Sequence, residues 1–168
     1  MPAIWTAPRT WTTGEVVTAG MLNTHLRDNL EFLKLREDTP LNLFTILNGF
    51  SFTTTSTTFV DVNAAFIGSI TTSGAPVLVG ASGSWKNSSA GADCCLDINL
   101  NGSRIGNATY GLTLMQAPAA NAFQPFALTQ VRNVAAGTHT LRLQWRVSAG
   151  TLEIGGVNFT SFFAVELI

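Results

Sequence analysis

The chain has 168 residues, of which 46% are hydrophobic and 11% charged, with a formal net charge of −1. That is enough apolar content for one ordinary domain with a small appendage, at less than half the usual charge density of about 25%. With no basic excess and no local basic patch, nucleic-acid binding is not expected, and no apolar run approaches the ~20 residues of a membrane span.

The charges are unevenly placed. Of the 19 Asp, Glu, Lys and Arg residues, nine lie within the first 40 positions and ten are spread over the rest. This contrast sets a boundary: residues 1–40 read as a docking arm and trimerising helix, and residues 41–168 as a β-sandwich head. A head so poor in charge would associate through its bare surface, so burial against sister copies is the economical expectation.

The arm comes first. Pro2, Pro8, Gly14 and a cluster of threonines argue against regular structure up to Val17, yet Trp5 and Trp11 are large rings that solvent exposure disfavours. They either fold back on the chain's own helix or dock into another protein as aromatic anchors. "MPAIWTAPRT" lacks the apolar core of a secretory signal, so folding in a cytosol is expected.

A helix follows. Thr18 reads as its N-cap, and the periodic segment runs from Ala19 to Arg36, ending before Thr39-Pro40. Leu22, Leu26, Asn29 and Leu33 follow the 4-3-4 rhythm of a coiled-coil seam, with Asn29 as the polar member that fixes register and strand number. An ordinary amphipathic helix packed on its own domain is the alternative. About two heptads cannot hold a coiled coil alone, so the head must help supply the oligomer.

From Leu41 onward the signal is β. Runs such as "TTFVDV", "PVLVGASGSW", "CCLDINL", "AFQPFALTQVRNV", "THTLRLQWRV" and "SFFAVELI" recur between turn signals. In "TLRLQWRV", Leu141, Leu143, Trp145 and Val147 face one way while Arg142, Gln144 and Arg146 face the other. Asn101-Gly102 and Ser148-Ala149-Gly150 mark hairpins. Eight to ten antiparallel strands without intervening helices predict a mainly β jelly-roll sandwich behind a short N-terminal α-helix. Phe50, Phe52, Phe66, Phe159, Phe162 and Phe163 suit either a threefold core between sandwiches or an ordinary intrachain core. Tyr110 to Gln124 reads as a long apolar loop.

Chemistry is sparse. Cys94 and Cys95 are adjacent, so on a strand they point to opposite faces and cannot join two strands; both are expected reduced, with one in the core. They lack metal spacing, and no metal or other cofactor is expected. Asp93 and Asp97 share a strand face but read as solvated carboxylates rather than a glycosidase pair. His139 reads as a structural hydrogen-bonding residue, and His25 as a helix-surface or interface residue. No nucleophile elbow or phosphate loop is present, so no enzyme is expected. Trp85, followed by the polar "KNSSAGAD", reads as core or as a ring that stacks a sugar beside Asn87.

The stretch "WTTGEVVTAGMLNTHLRDNLEFL" resembles the N-terminal segment of many tailed-phage virion proteins, in which a Trp-x-x-Gly element precedes a Leu-Asn-x-x-Leu-Arg-Asp-Asn-Leu helix. The pieces "TTTSTTFVDV", "SGAPVLVGASGSW", "LDINLNGSRIG", "AAGTHTLRLQWRVSAGT" and "FFAVEL" are similar to the heads attached to such segments. Those heads resemble the trimeric jelly rolls of the complement globular-head and tumour necrosis factor class. The resemblance implies a homotrimeric virion component, assembled in the host cytoplasm, with other capsid or tail proteins as partners. Two functions fit it: a structural appendage (capsid decoration, head fibre or short tail fibre), or a receptor- or glycan-binding tail protein whose head recognises the host surface. A bacterial complement-type domain unrelated to phage is a third reading.

Overall fold

A computed structural model of the chain describes residues 6–37, 42–47, 49–156 and 160–167, with the backbone alone for 35–37 and 42–47. It divides into two compact units, Met1–Pro40 and Leu41–Leu167.

In the first unit the helix starts where the sequence places it. Thr18 is extended, and its hydroxyl accepts from the Met21 N–H at 3.3 Å, satisfying one donor that the helix start leaves free. The helix is not uniform. Ala19–Leu22 (α1) and Asp28–Glu37 (α2) are joined by a π-helical turn, Asn23–Arg27, in which the Asp28 N–H bonds to the Asn23 carbonyl. A π turn carries one more residue than an α turn, so the side chains beyond it are rotated from the positions that a regular repeat assigns.

The second unit is a β-sandwich. Among the described residues, twelve strands fill eight positions. In chain order they are β1 (Asn42–Leu47) with β2 (Ser51–Thr54); β3 (Val60–Asp61) with β4 (Ile67–Thr72); β5 (Val77–Asn87); β6 (Asp93–Leu100); β7 (Ser103–Arg104) with β8 (Thr113–Gln116); β9 (Gln124–Arg132); β10 (Gly137–Val147); and β11 (Leu152–Gly155) with β12 (Thr160–Glu166). One antiparallel sheet runs β9, β5, then β11 and β12, then β1 and β2. The other runs β7 and β8, β6, β10, then β3 and β4. With the positions numbered one to eight, the sheets read 6-3-8-1 and 5-4-7-2, the double-sheet arrangement of a jelly roll. The count exceeds eight to ten because four positions are interrupted. The Asn63–Phe66 turn between β3 and β4, capped by the Asn63 side chain on the Ala65 N–H at 3.0 Å, is one such break.

Alternation builds the core. On β10, Leu141, Leu143, Trp145 and Val147 are buried, and their partners on β6 (Leu100, Ile98, Leu96 and Cys94) point the same way. Val77, Val79, Ala81 and Trp85 on β5, with Phe126 and Leu128 on β9, close it from the opposite sheet. Phe66 and Phe162 are fully buried in this intrachain core, whereas Phe50 is exposed; Phe159 lies outside the described residues. The β6–β7 hairpin turns at Asn101 (φ 52°) and Gly102 (φ 88°), the pair of left-handed residues that a two-residue turn of this hand requires.

The cysteines are as expected, both free thiols with Cys94 in the core; Cys95 is buried too, on the outer side of its sheet. Burial pushes the Cys94 thiol up to about 11. Two expectations need correction. Asp97, expected to be solvated, is fully buried because the chain that follows β7 returns over the outer face of β6. The apolar segment after Tyr110 is not one long loop, since Thr113–Gln116 adds to the edge of β6.

Candidate interaction surfaces

In the first unit, the arm packs back on the helix. Asn29 is buried, and its amide grips Thr6 from both sides: the Thr6 N–H donates to Oδ1 at 2.9 Å, and Nδ2 donates to the Thr6 carbonyl at 2.9 Å. Trp11 and the His25 ring meet edge-to-face at 6.5 Å, and the Arg9 guanidinium lies over the Trp11 ring at 5.2 Å; Arg9 also pairs with Glu15. Folding back and docking are not exclusive, since Trp11 remains 45% exposed. Trp5 lies outside the described residues.

The expected row of Leu22, Leu26, Asn29 and Leu33 is altered at one place. Asn29 turns under the arm, in line with half-buried Met21 and His25, and Leu30 stands exposed with Leu22, Leu26 and Leu33. The described part of the helix therefore presents four exposed leucines on one side and spends its polar residue within the chain. The π turn accounts for the change.

The two outer faces of the sandwich differ sharply in charge. On the β9-β5-β12 sheet the outward positions are Leu78, Gly80 and Ser82 on β5, Ala127, Thr129 and Val131 on β9, and Ser161, Phe163 and Val165 on β12. None carries a charge. Gly80 lets the Phe163 ring lie against the sheet, since a Cβ there would sit 2.6 Å from the ring's tip. Charge returns only towards one end, where Lys86 pairs with Glu153 at 3.1 Å.

The opposite face is polar. Arg142 on β10 donates to Asp61 at 2.9 Å, and Gln144 donates to the same carboxylate at 2.7 Å. Further along β10, Arg146 donates through Nε to the Thr109 carbonyl at 2.8 Å. Asp97 is held beneath: its Oδ1 accepts from the Ile98 and Gly106 N–H groups at 2.8 and 2.9 Å, and Oδ2 meets Arg104 at 3.3 Å. Burial nonetheless raises its carboxyl above the ordinary range, outweighing those bonds and Arg104. Two hollows open on this face, of about 430 Å³ around Phe59, Arg104 and Arg146 and about 340 Å³ around Asn99, Asn101 and Arg142.

Trp85 and Asn87 do not lie on a binding surface, which corrects the sugar-stacking expectation. Trp85 is 2% exposed, inside the sandwich. Asn87 is fully buried; its side chain donates to the Ala149 carbonyl at 3.2 Å and accepts from the Ser89 N–H at 2.7 Å, tying neighbouring turns together. His139 makes the structural bonds foreseen for it, to the Ala135 carbonyl and the Asn101 amide, both at 2.8 Å. Among the described residues there is no group of three or more His, Cys, Asp or Glu placed to hold a metal, and no helix long and apolar enough to cross a membrane.

No protein-family profile and no curated protein matches the chain. Solved structures match it in part, at low identity and low structural similarity. Infectious bursal disease virus (Gt strain) matches at 13% identity and TM-score 0.43, over 79% of this chain and 38% of that one. Dimeric latent PorU from Porphyromonas gingivalis matches at 12% and 0.37, over 77% and 14%. A pentameric capsid protein isolated from metagenomic phage sequences matches at 13% and 0.30, over 93% and 78%. This chain spans well under half the length of the first two.

Proposed function

We propose that the protein is a structural component of a phage virion: a homotrimeric appendage, anchored by its N-terminal arm and displaying the sandwich as a head. The observation that carries the trimer is the uncharged outer face of the β9-β5-β12 sheet, set against a charged opposite face. A face of Leu, Val, Phe, Ser, Ala, Thr and Gly is suited to burial against copies of itself. The four exposed leucines of the helix give the second unit of self-contact. Virion residence is supported by the Trp-x-x-Gly and Leu-Asn-x-x-Leu-Arg-Asp-Asn-Leu pattern, with capsid or tail proteins as the arm's partners. No catalytic role is proposed.

Sedimentation of the full chain tests the trimer. The expected mass is three times the 17.9 kDa of one chain, and Val131→Lys should give single chains with an unchanged β spectrum, because Val131 is already 46% exposed within one chain. A wild-type chain that sediments singly overturns the proposal. Deleting residues 1–17 should leave a folded trimer that no longer joins particles; unchanged incorporation removes the arm as anchor.

One observation favours a second reading, host-surface recognition by the head. The polar face keeps its charged groups and both hollows outside the surface assigned to the trimer.

A further inference from the structure

The larger hollow on the polar face joins three features that a passive surface does not need. Phe59 is half-buried and carries two guanidiniums against one ring, Arg104 at 4.1 Å and Arg146 at 5.7 Å from its centre. Bringing two like charges together is unfavourable without a compensating anion. One carboxylate, Asp97, is present, but it is fully buried and pairs with Arg104, not with Arg146. Arg104 spends its remaining described bond on the Ala108 carbonyl at 2.8 Å. Arg146 is different. Its Nε is held by Thr109, and its two Nη groups meet no carboxylate or other hydrogen-bond acceptor among the described residues. A guanidinium steadied on an aromatic ring and tied at Nε presents a planar pair of donors, the geometry that takes a carboxylate in two parallel hydrogen bonds.

The rim narrows the ligand class. Thr57, Thr58 and Thr109 line the hollow beside the two arginines, and hydroxyls together with backbone groups suit a ligand that is itself rich in hydroxyls. The volume of about 430 Å³ lies within the range of small-ligand sites. A single unpaired cation is too little for a nucleic-acid backbone, which needs several. The second hollow lies along the same strand: Gln144 lines it two residues before Arg146, about 7 Å away at the rise of a β-strand. It is lined by Asn99 and Asn101, and its one ion pair, Arg142 with Asp61, is internally balanced.

We infer that the Phe59–Arg104–Arg146 hollow binds a carboxylate-bearing sugar unit of an acidic surface polysaccharide, with Arg146 taking the carboxylate and the Asn99–Asn101 hollow receiving the neighbouring neutral unit. This rests on the host-recognition reading and is independent of the trimer, because every residue of both hollows belongs to one chain.

Calorimetry of the full-length protein against defined oligosaccharides tests it. The panel is tetragalacturonate, a glucuronate-containing tetrasaccharide and a sialylated trisaccharide, each with its carboxyl-esterified counterpart. The acidic members are expected to bind and the esters to bind about 10-fold more weakly or not at all, with affinity falling as salt rises. Arg146→Gln should lose about 10-fold and Arg146→Lys less, since an ammonium keeps the charge but not the paired donors. Lys86→Gln, on the other sheet, should match the wild type. Sedimentation and thermal melting of each variant separate lost binding from lost folding or assembly. Binding of esters and acids alike, or acid binding undiminished in Arg146→Gln, overturns the acidic-sugar assignment while leaving host recognition standing. Absence of binding to every member overturns both.

Discussion

Trp145→Ala is expected to lower the unfolding free energy by about 3–5 kcal/mol, the range for removing a large aromatic from a packed core. Trp145 is 2% exposed, on the face of β10 that also buries Leu141, Leu143 and Val147. β10 is hydrogen-bonded along both edges, opposite Leu96 of β6 on one side and Val60 of β3 on the other. A strand pinned on two sides cannot sink into the space an indole leaves, so most of the cavity persists. Typical domains hold only about 5–15 kcal/mol in total, so this one truncation removes a large share. Urea unfolding followed by far-ultraviolet circular dichroism reads the loss as a lower midpoint at unchanged slope. A soluble variant of wild-type midpoint would mean that the strand faces are reversed.

The same strand shows what the sequence makes legible. The inward set on β10 follows from a strict period of two, and the Asn101-Gly102 turn from its need for left-handed residues; both are local. Trp85 was legible too, since it shares the odd positions of Val77, Val79 and Ala81 on β5 and so had to point into the core with them. The polar loop after it kept a sugar-stacking surface ring open as the other reading. Other features depend on contacts distant in sequence. Nothing local marks the π turn, which rotates Asn29 away from the leucine row and onto Thr6. Thr113–Gln116 is too short to stand out from the apolar segment around it and is a strand only because β6 offers it an edge. The hollow on the polar face combines Phe59, Arg104 and Arg146 from three separate runs. The alternation of "TLRLQWRV" put Arg146 on the outer side, but only the fold brings the ring and the second arginine to it.

The second large effect concerns Asp97. Its outward parity on β6 suggested a solvated group, yet it is fully buried and organises the chain that covers it. Asp97→Ala is expected to cost about 2–4 kcal/mol. Two backbone N–H groups, of Ile98 and Gly106, lose their acceptor, at about 1–3 kcal/mol for each buried donor left unpaired, and Arg104 loses its counter-ion. Asp97→Asn should cost less, because a carbonyl oxygen can still accept both N–H groups while the new amide only meets Arg104 unfavourably. The pH dependence separates charge from hydrogen bonding. Burial holds the Asp97 carboxyl above its ordinary value of 3.8, so the folded chain binds this proton more tightly than the unfolded one. Stability from Asp97 is therefore greatest at and below the unfolded value and declines as pH rises through the folded one. The gap between wild type and Asp97→Asn, measured by urea unfolding, should accordingly widen on acidification from neutral pH towards 4. A gap that closes on acidification would mean that the attraction of Arg104, rather than burial, sets the charge state of Asp97. The carboxylate would then be a working half of the ion pair, and Arg104 would be committed to it even when an acidic ligand is offered.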